Sequence, residues 1–466
     1  MKSGGPVNVI VVGGGAAGLA AAKAAEEAGL SCQLLEAQDR LGGRVRTVPL
    51  ESGGLFDEGA QMVNGDMRGL LALAQRAGLH LAPVPQTGID LCIVGEEGLR
   101  GEDLISAEEI YDLLQDQVVR WDSVGEVLRA LRLKLQWMTT PWDSFGEAGR
   151  ALRLLVEKRT APRDSLASAL GALLLCKEDH AFAYSLFSEV FGGAPEDINA
   201  QAVRDILSRY GSQREDLEFQ ISGGMTKIVD GLAADLRHRP RLNTPVRRIR
   251  AAHDRVEVTS DAGTWDADQV VVAVPPPVAR KIAFDIDGND RLDGLLSSFT
   301  AGDMIKTALL FDTAFWRLKG LSGYVTFADP AGLVITDASL DEGLPPRLVA
   351  FQGGPLARDW AALRKEERQV NLLHHLRRAF GEEMPDPREL AEAVWVDHPW
   401  SGGGYNATVR IGGDPDAVAR LAAWGGRVRF AGAELDDLFW GYVEGAIHSG
   451  RGAIARMIRE TPSTAA

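Results

Sequence analysis

The sequence predicts an α/β fold whose first domain is discontinuous, assembled from distant parts of the chain, with a second α+β domain that contains a sheet and several helices. Three observations predict it. A β-branched run, Val9 to Val12, ends in spaced glycines and leads into an alanine-rich stretch. A second strand-to-glycine turn, from Arg427 to Glu434, lies near the end of the chain. Between them, short strand signals flank a long, mostly helical region.

The first element is the most specific. Gly13-Gly14-Gly15-Ala16-Ala17-Gly18 reads G-x-G-x-x-G directly after a strand and before a helix that runs to about Ala28. Gly13 permits the tight turn, Gly15 lets backbone approach a pyrophosphate, and Gly18 lets the helix pack against the sheet. The helix N-terminus offers free N–H groups and a partial positive charge. A second strand, 31–35, ends in Glu36, placed to accept both hydroxyls of a ribose. Strand, glycines, helix, strand and acid in one unit predict a Rossmann-like dinucleotide-binding domain.

Two loops extend that unit. Leu41-Gly42-Gly43-Arg44 brings a fixed, charged fork toward phosphate, and Glu58-Gly59-Ala60-Gln61 places another glycine turn after a short strand. From about 103 to 209 the pattern is mostly helical, with Leu128, Leu131, Leu135 and Met138 at helical spacing and Leu152, Leu155 and Val156 continuing it. Basic residues on the other faces, Arg129 and Arg132, fit a solvated face better than a membrane surface. Sheet signals return after Ser222-Gly223-Gly224-Met225: a helix over 225–236, strands over 246–249, 255–259 and 269–274, and a stop at Pro275 to Pro277. A strand over 304–311 and others up to Phe351 predict a second sheet, and 359–380 reads as one helix. The last helix starts near Gly441 and reaches about Ile458, with 461–466 as a tail.

Composition is that of a globular protein of two or more domains. The 466 residues exceed one typical core, and 45% hydrophobic with 25% charged residues is ordinary. Fifty basic against sixty-five acidic residues give a net charge of −15, which disfavours nucleic acid and mildly favours cationic small molecules. Cys32, Cys92 and Cys176 are widely spaced, fit no metal pattern and suit a reducing, cytoplasmic compartment. No transmembrane anchor is expected, because no stretch is long and apolar enough to span a membrane, and the glycines at 13–15 interrupt the N-terminal apolar run. His80, His180, His253, His398 and His448 show no metal-ligand spacing, and no G-x-S-x-G motif is present.

Taken in order, GGGAAG (13–18), Glu36, LGGR (41–44), EGAQ (58–61), SGGM (222–225), PV (245–246), VVVAVP (270–275), Lys306, Trp395, SGGGY (401–405), FAGAE (430–434) and GYVEGA (441–446) cover nearly the whole chain. This set resembles the flavin-dependent amine oxidase family, which includes the monoamine and polyamine oxidases. The resemblance implies a discontinuous FAD-binding domain over 1–82, 217–292 and 390–466, and a substrate domain over 83–216 and 293–389. It implies that Gly13, Gly15, Ala17 and Gly18 cradle the FAD phosphates and that Glu36 binds the ribose. Gly43 and Arg44 approach the phosphate and flavin end, and Val246 meets the adenine. Gly59, Ala60, Gln61, Trp395, Gly432, Glu434, Tyr442 and Val443 lie along the ribityl chain or the isoalloxazine. The family often carries arginine where this chain has Gln38, which puts one adenine-side contact in question.

For chemistry, the resemblance implies that Lys306 is joined through water to the flavin N5. In an unrelated chain the same lysine, within the apolar segment 304–311, would read as an edge-strand residue facing water. Tyr405 and Tyr442 match the aromatic cage that orients an amine, with Trp395, Trp400, Phe351 and Leu321 lining the substrate cavity. Covalent members attach FAD through a cysteine just before the first cage tyrosine. Gly404 stands there in this chain, so the FAD is expected to be non-covalent. The expected reaction takes a small-molecule amine to an imine, then to aldehyde or ketone, with oxygen reduced to hydrogen peroxide. An L-amino-acid oxidase, with Arg68 or Arg209 facing a carboxylate, an amine dehydrogenase using another electron acceptor, and a flavin-bound scaffold are the rivals. The sequence leaves the amine's identity, stereoselectivity and any homodimer open.

Overall fold

The computed structural model describes residues 7–95, 97–116, 164–173, 175–212, 218–252, 254–340 and 343–460. The helical repeat expected through Leu128 to Met138 and through Leu152 to Val156, His253 and the tail 461–466 lie outside them.

The first sheet has seven strands. Its parallel heart is Cys32–Leu35, Val7–Val12, the second half of Gly263–Val272, and Val428–Phe430. Val9 to Val12 face Cys32 to Leu35 on one side and Gln269 to Val272 on the other, residue for residue. In-register pairing ends all four strands at one edge. Gly13 to Gly15, Glu36, Ala273 to Pro275, and Ala431 to Glu434 therefore emerge together, where open α/β sheets bind ligands. Val246–Ala252 and Arg255–Ser260 extend the sheet as an antiparallel meander, and Ala283–Asp285 closes that edge.

The alanine-rich helix Ala16–Glu27 is buried along most of its length because the final helix, Val443–Glu460, lies directly on it. A Cβ on Gly450 would stand 2.1 Å from the Ala17 carbonyl oxygen, so glycine sets how closely the two helices cross. At its N-terminus the buried Glu444 carboxylate accepts from Gly69 N (2.8 Å) and Leu70 N (2.6 Å), joining it to the start of helix Arg68–Arg76.

The second sheet also has seven strands, in the order Glu389–Val394, Met304–Leu310, Arg347–Gly353, Leu333–Asp337, Leu321–Phe327, Ile89–Val94, Glu97–Arg100. One face packs against helices Pro355–Ala361 and Lys365–Phe380 through Trp360, Leu372, Leu376 and Phe380. The single helix expected over 359–380 is thus two. Glu367 breaks it by accepting from the Arg364 backbone N–H (2.9 Å), which starts the second helix afresh. In the helical region the described residues form Ala107–Asp116, Leu166–Gly171, Lys177–Phe191 and Ala200–Arg209.

Candidate active site

One cavity of about 1180 Å³ takes its lining from both sheets and from the start, middle and end of the chain. At the sheet edge its floor is backbone. Gly13 has φ +105°, and a Cβ there would meet the Ala273 carbonyl oxygen at 2.6 Å. Gly18 lies behind the turn, where a Cβ would stand 1.9 Å from the Gly13 oxygen. Gly15 differs: its Cβ direction meets only the Gly42 oxygen, at 3.8 Å, leaving a cleft between the glycine turn and the loop of Gly42 and Gly43. That open cradle at a helix N-terminus fits the diphosphate of a dinucleotide. Glu36, buried at its rim, accepts from Gly14 N (2.5 Å) and Gln38 N (2.8 Å), and burial raises its carboxyl pKa. Ala17, Gln38, Gly43, Ala60, Gln61 and Val246 line the same space.

Arg44 behaves as a strut. Its guanidinium donates to both Glu434 carboxylate oxygens (2.6 and 3.0 Å) and to the Tyr405 carbonyl (2.5 Å). Glu434 is fully buried and also accepts from Ala407 N (3.1 Å). Three chain segments are fixed to one another at this point, with Gly432, Glu434, Tyr442 and Val443 on the cavity wall.

Lys306 is 1% exposed. Its strand is interior, paired on both sides by Arg347–Gly353 and Glu389–Val394, which removes the edge-strand reading. Alternation along Met304–Leu310 turns Ile305 and Leu309 toward the helices and Ala308 and Leu310 toward Phe56. Lys306 shares the second face, where Nζ donates to the carbonyls of Asp57 (2.6 Å) and Gly59 (2.9 Å). It also lies 5.4 Å from the Phe351 ring centre. Burial pushes its pKa down to about 7, against the partial compensation of Asp57.

The far end of the cavity is aromatic. Five of the chain's six tyrosines line it: Tyr111, Tyr210, Tyr324, Tyr405 and Tyr442. Tyr405 follows a close crossing in which Gly404 N donates to the Gly302 oxygen (3.0 Å) and a Cβ on Gly403 would stand 2.0 Å from it. Tyr442 immediately precedes helix Val443–Glu460, and its hydroxyl shares a hydrogen bond with Tyr210. The Tyr405 ring lies 6.0 Å from Phe351, and its hydroxyl donates to Glu189 Oε1 at 2.7 Å. Trp395 and Trp400 are on the wall, with Trp395 Nε1 donating to the Glu58 carbonyl (2.9 Å).

Two expected positions lie elsewhere. Gly18 supports the cradle from behind and does not line the cavity. Leu321 packs against the core beneath the helices, since alternation sends Ser322, Tyr324 and Thr326 to the cavity and the odd-numbered residues away from it. Arg68 and Arg209 are also outside; Arg209 pairs with Asp437. The sequence reading does not single out Glu189, Tyr111, Tyr210 or Tyr324. Gly353 gives a faint signal for Glu189, because a Cβ there would meet the Glu189 Cα at 2.5 Å, so glycine admits the helix Lys177–Phe191 at that point. Among the described residues, no three His, Cys, Asp or Glu converge as metal ligands, and no helix is long and apolar enough to cross a membrane.

A family model described as flavin containing amine oxidoreductase matches residues 16–458. The chain is 28% identical, over 95% of each chain, to a probable flavin-containing monoamine oxidase A of Dictyostelium discoideum. It is 27% identical to an L-amino acid dehydrogenase of a Synechocystis strain, over 96% of this chain and 94% of that one. Its fold is similar to that of cyclohexylamine oxidase from Brevibacterium oxydans, with a TM-score of 0.80 and 24% identity over 98% of this chain and 99% of the other.

Proposed function

The chain belongs to the flavin-containing amine oxidoreductase family, and from that premise we propose that it oxidises a small amine at a non-covalently held FAD, with oxygen as the acceptor and hydrogen peroxide as the product. One observation carries the reading: a single cavity joins the dinucleotide cradle to Lys306, Tyr405 and Tyr442.

Bound FAD supplies the hydride acceptor. The chain supplies everything around it. Gly13 to Ala17 offer the diphosphate a helix N-terminus, and Glu36 offers the ribose a carboxylate. Tyr405 and Tyr442 act as walls that orient the amine nitrogen. Their surroundings are dry enough that burial raises both hydroxyl pKa values, so both stay neutral, and the same dryness favours the neutral amine whose lone pair the reaction needs. In its ammonium form Lys306 uses two of its three N–H donors on the Asp57 and Gly59 carbonyls, which leaves one for a water in the cavity. Position 404 has no thiol, and a Cβ there would stand 3.0 Å from the Trp395 Cβ.

An amino acid is a poorer substrate. The arginines on the cavity wall are already engaged, Arg44 by Glu434 and the Tyr405 carbonyl and Arg247 by Asp261, and the carboxylate of Glu189 would oppose a substrate carboxylate. The test is anaerobic mixing with a panel of amines and amino acids. Amines should bleach the bound flavin and readmitted air should release peroxide; bleaching by amino acids alone would overturn the reading. Acid precipitation should leave a colourless pellet and a yellow supernatant, and colour retained by the pellet would refute non-covalent binding.

A further inference from the structure

Glu189 is 8% exposed and lines the cavity beside Tyr405. A carboxylate offers about four lone-pair sites, and one is filled, by the Tyr405 hydroxyl at 2.7 Å. Among the described residues no Arg, Lys or His pairs with it, and the Tyr405 hydroxyl at Oε1 is the one group that acts on it against burial. Burial accordingly lifts its pKa to about 7, with only the Tyr405 hydrogen bond pulling the other way. A buried carboxylate without a cation is costly, and such groups are retained where something supplies the missing charge. Its neighbours do not: Tyr111 and Tyr442 bring neutral hydroxyl-bearing rings, not cations. Trp440, also on the cavity wall, carries a buried Nε1 with no hydrogen-bond partner. The cavity mouth adds Asp90, Glu108 and Asp112, exposed and acidic.

We infer that Glu189 is a specificity-determining residue that receives a second, non-reacting ammonium group, so that the substrate class is the short aliphatic diamines. The inference rests on the amine-oxidising reading and deepens it. The reacting nitrogen lies between the faces of Tyr405 and Tyr442, while the distal ammonium lies at the hydroxyl end of Tyr405, against the Glu189 carboxylate. A monoamine of the same carbon length leaves that carboxylate without its cation.

The experiment compares 1,4-diaminobutane with butylamine on the holoenzyme and on Glu189→Gln, which keeps the side-chain shape and an oxygen that can accept from Tyr405. Wild type should favour the diamine in kcat/KM by about tenfold or more, and Glu189→Gln should cut that preference by about tenfold, mainly through KM. Direct binding of each amine to dithionite-reduced holoenzyme, measured calorimetrically without air, supplies a second readout that needs no turnover. There the diamine should bind more tightly than butylamine to wild type and lose that advantage in Glu189→Gln. Equal affinity of wild type for the two amines, or an unchanged diamine preference in the variant, overturns the inference. Failure of every amine to bleach the oxidised flavin would instead overturn the amine-oxidising reading, and the binding arm would still decide the role of Glu189. Should Glu189→Gln not fold, Glu189→Asp, which retracts the charge, should weaken diamine binding selectively.

Discussion

At the sheet edge the cavity is made of backbone, and at its tyrosine end it is made of side chains. The cradle depends on Gly13, Gly15 and Gly18, residues defined by what they lack, spaced within one short turn. The tyrosine end draws Tyr111, Glu189, Tyr210, Tyr324, Tyr405 and Tyr442 from six separate stretches of chain. The first arrangement tolerates almost no substitution and announces itself in sequence. The second tolerates much, since many side chains can line a cavity, and so it is where members of one family can diverge in substrate.

The largest expected effect falls on the cradle. Gly18→Ala puts a methyl 1.9 Å from the Gly13 oxygen, which should cost about 3 kcal/mol or more and abolish flavin-loaded, folded protein. Gly15→Ala, with nothing nearer than 3.8 Å, should fold and lose flavin affinity instead. Thermal melting and the flavin-to-protein absorbance ratio separate the two, and equal behaviour would mean that the cleft at Gly15 holds no phosphate. Next come the tyrosines. Tyr405→Leu and Tyr442→Leu should keep their flavin yet reduce it about tenfold or more slowly with amine, a loss of ~1.4 kcal/mol or more in transition-state stabilisation. The Phe variants should lose less; two Leu variants at the wild-type rate would remove the cage.

Lys306→Met should slow reoxidation by oxygen more than anaerobic reduction by amine, as stopped-flow traces of each half-reaction would show. A smaller effect should appear in stability. Lys306 titrates at about 7 when folded against 10.5 ordinarily. Within that interval the unfolded chain binds a proton that the folded chain lacks, so this group's contribution to stability rises with pH. Glu189, at about 7 against 4.5, has the opposite sign. Between those values the folded chain holds the extra proton, and the contribution falls as pH rises. In urea unfolding across pH, Lys306→Met should flatten the upper slope and Glu189→Gln the lower one. A wild-type slope in either variant would mean that its side chain titrates normally.

What was legible in the sequence follows the same division. The glycine turn, Glu36, the strand carrying Lys306 and the final helix could all be placed, because glycine spacing and hydrophobic period encode local geometry. Leu321, which the resemblance puts in the cavity lining, packs instead on the core side of its strand, because a position carried over along a strand holds only while its register does and a one-residue slip reverses every side chain. Glu189 gave no local signal at all. It lies on a helix whose other buried residues are Ala183, Ser185, Leu186, Phe187, Ser188 and Phe191, and only the fold shows that the cavity is on its side.

The strut between Arg44 and Glu434 spans 390 residues of chain, and that separation sets an order of events during synthesis. At about 5–20 residues per second a ribosome needs roughly 20 to 80 s to deliver the carboxylate after the guanidinium. Until then Ala16–Glu27 also lacks the helix that covers it. The nascent N-terminal half therefore waits with an apolar flank bare and its nucleotide pocket unclosed, and closure of that pocket belongs to the period after Glu434 and the helix Val443–Glu460 have been made.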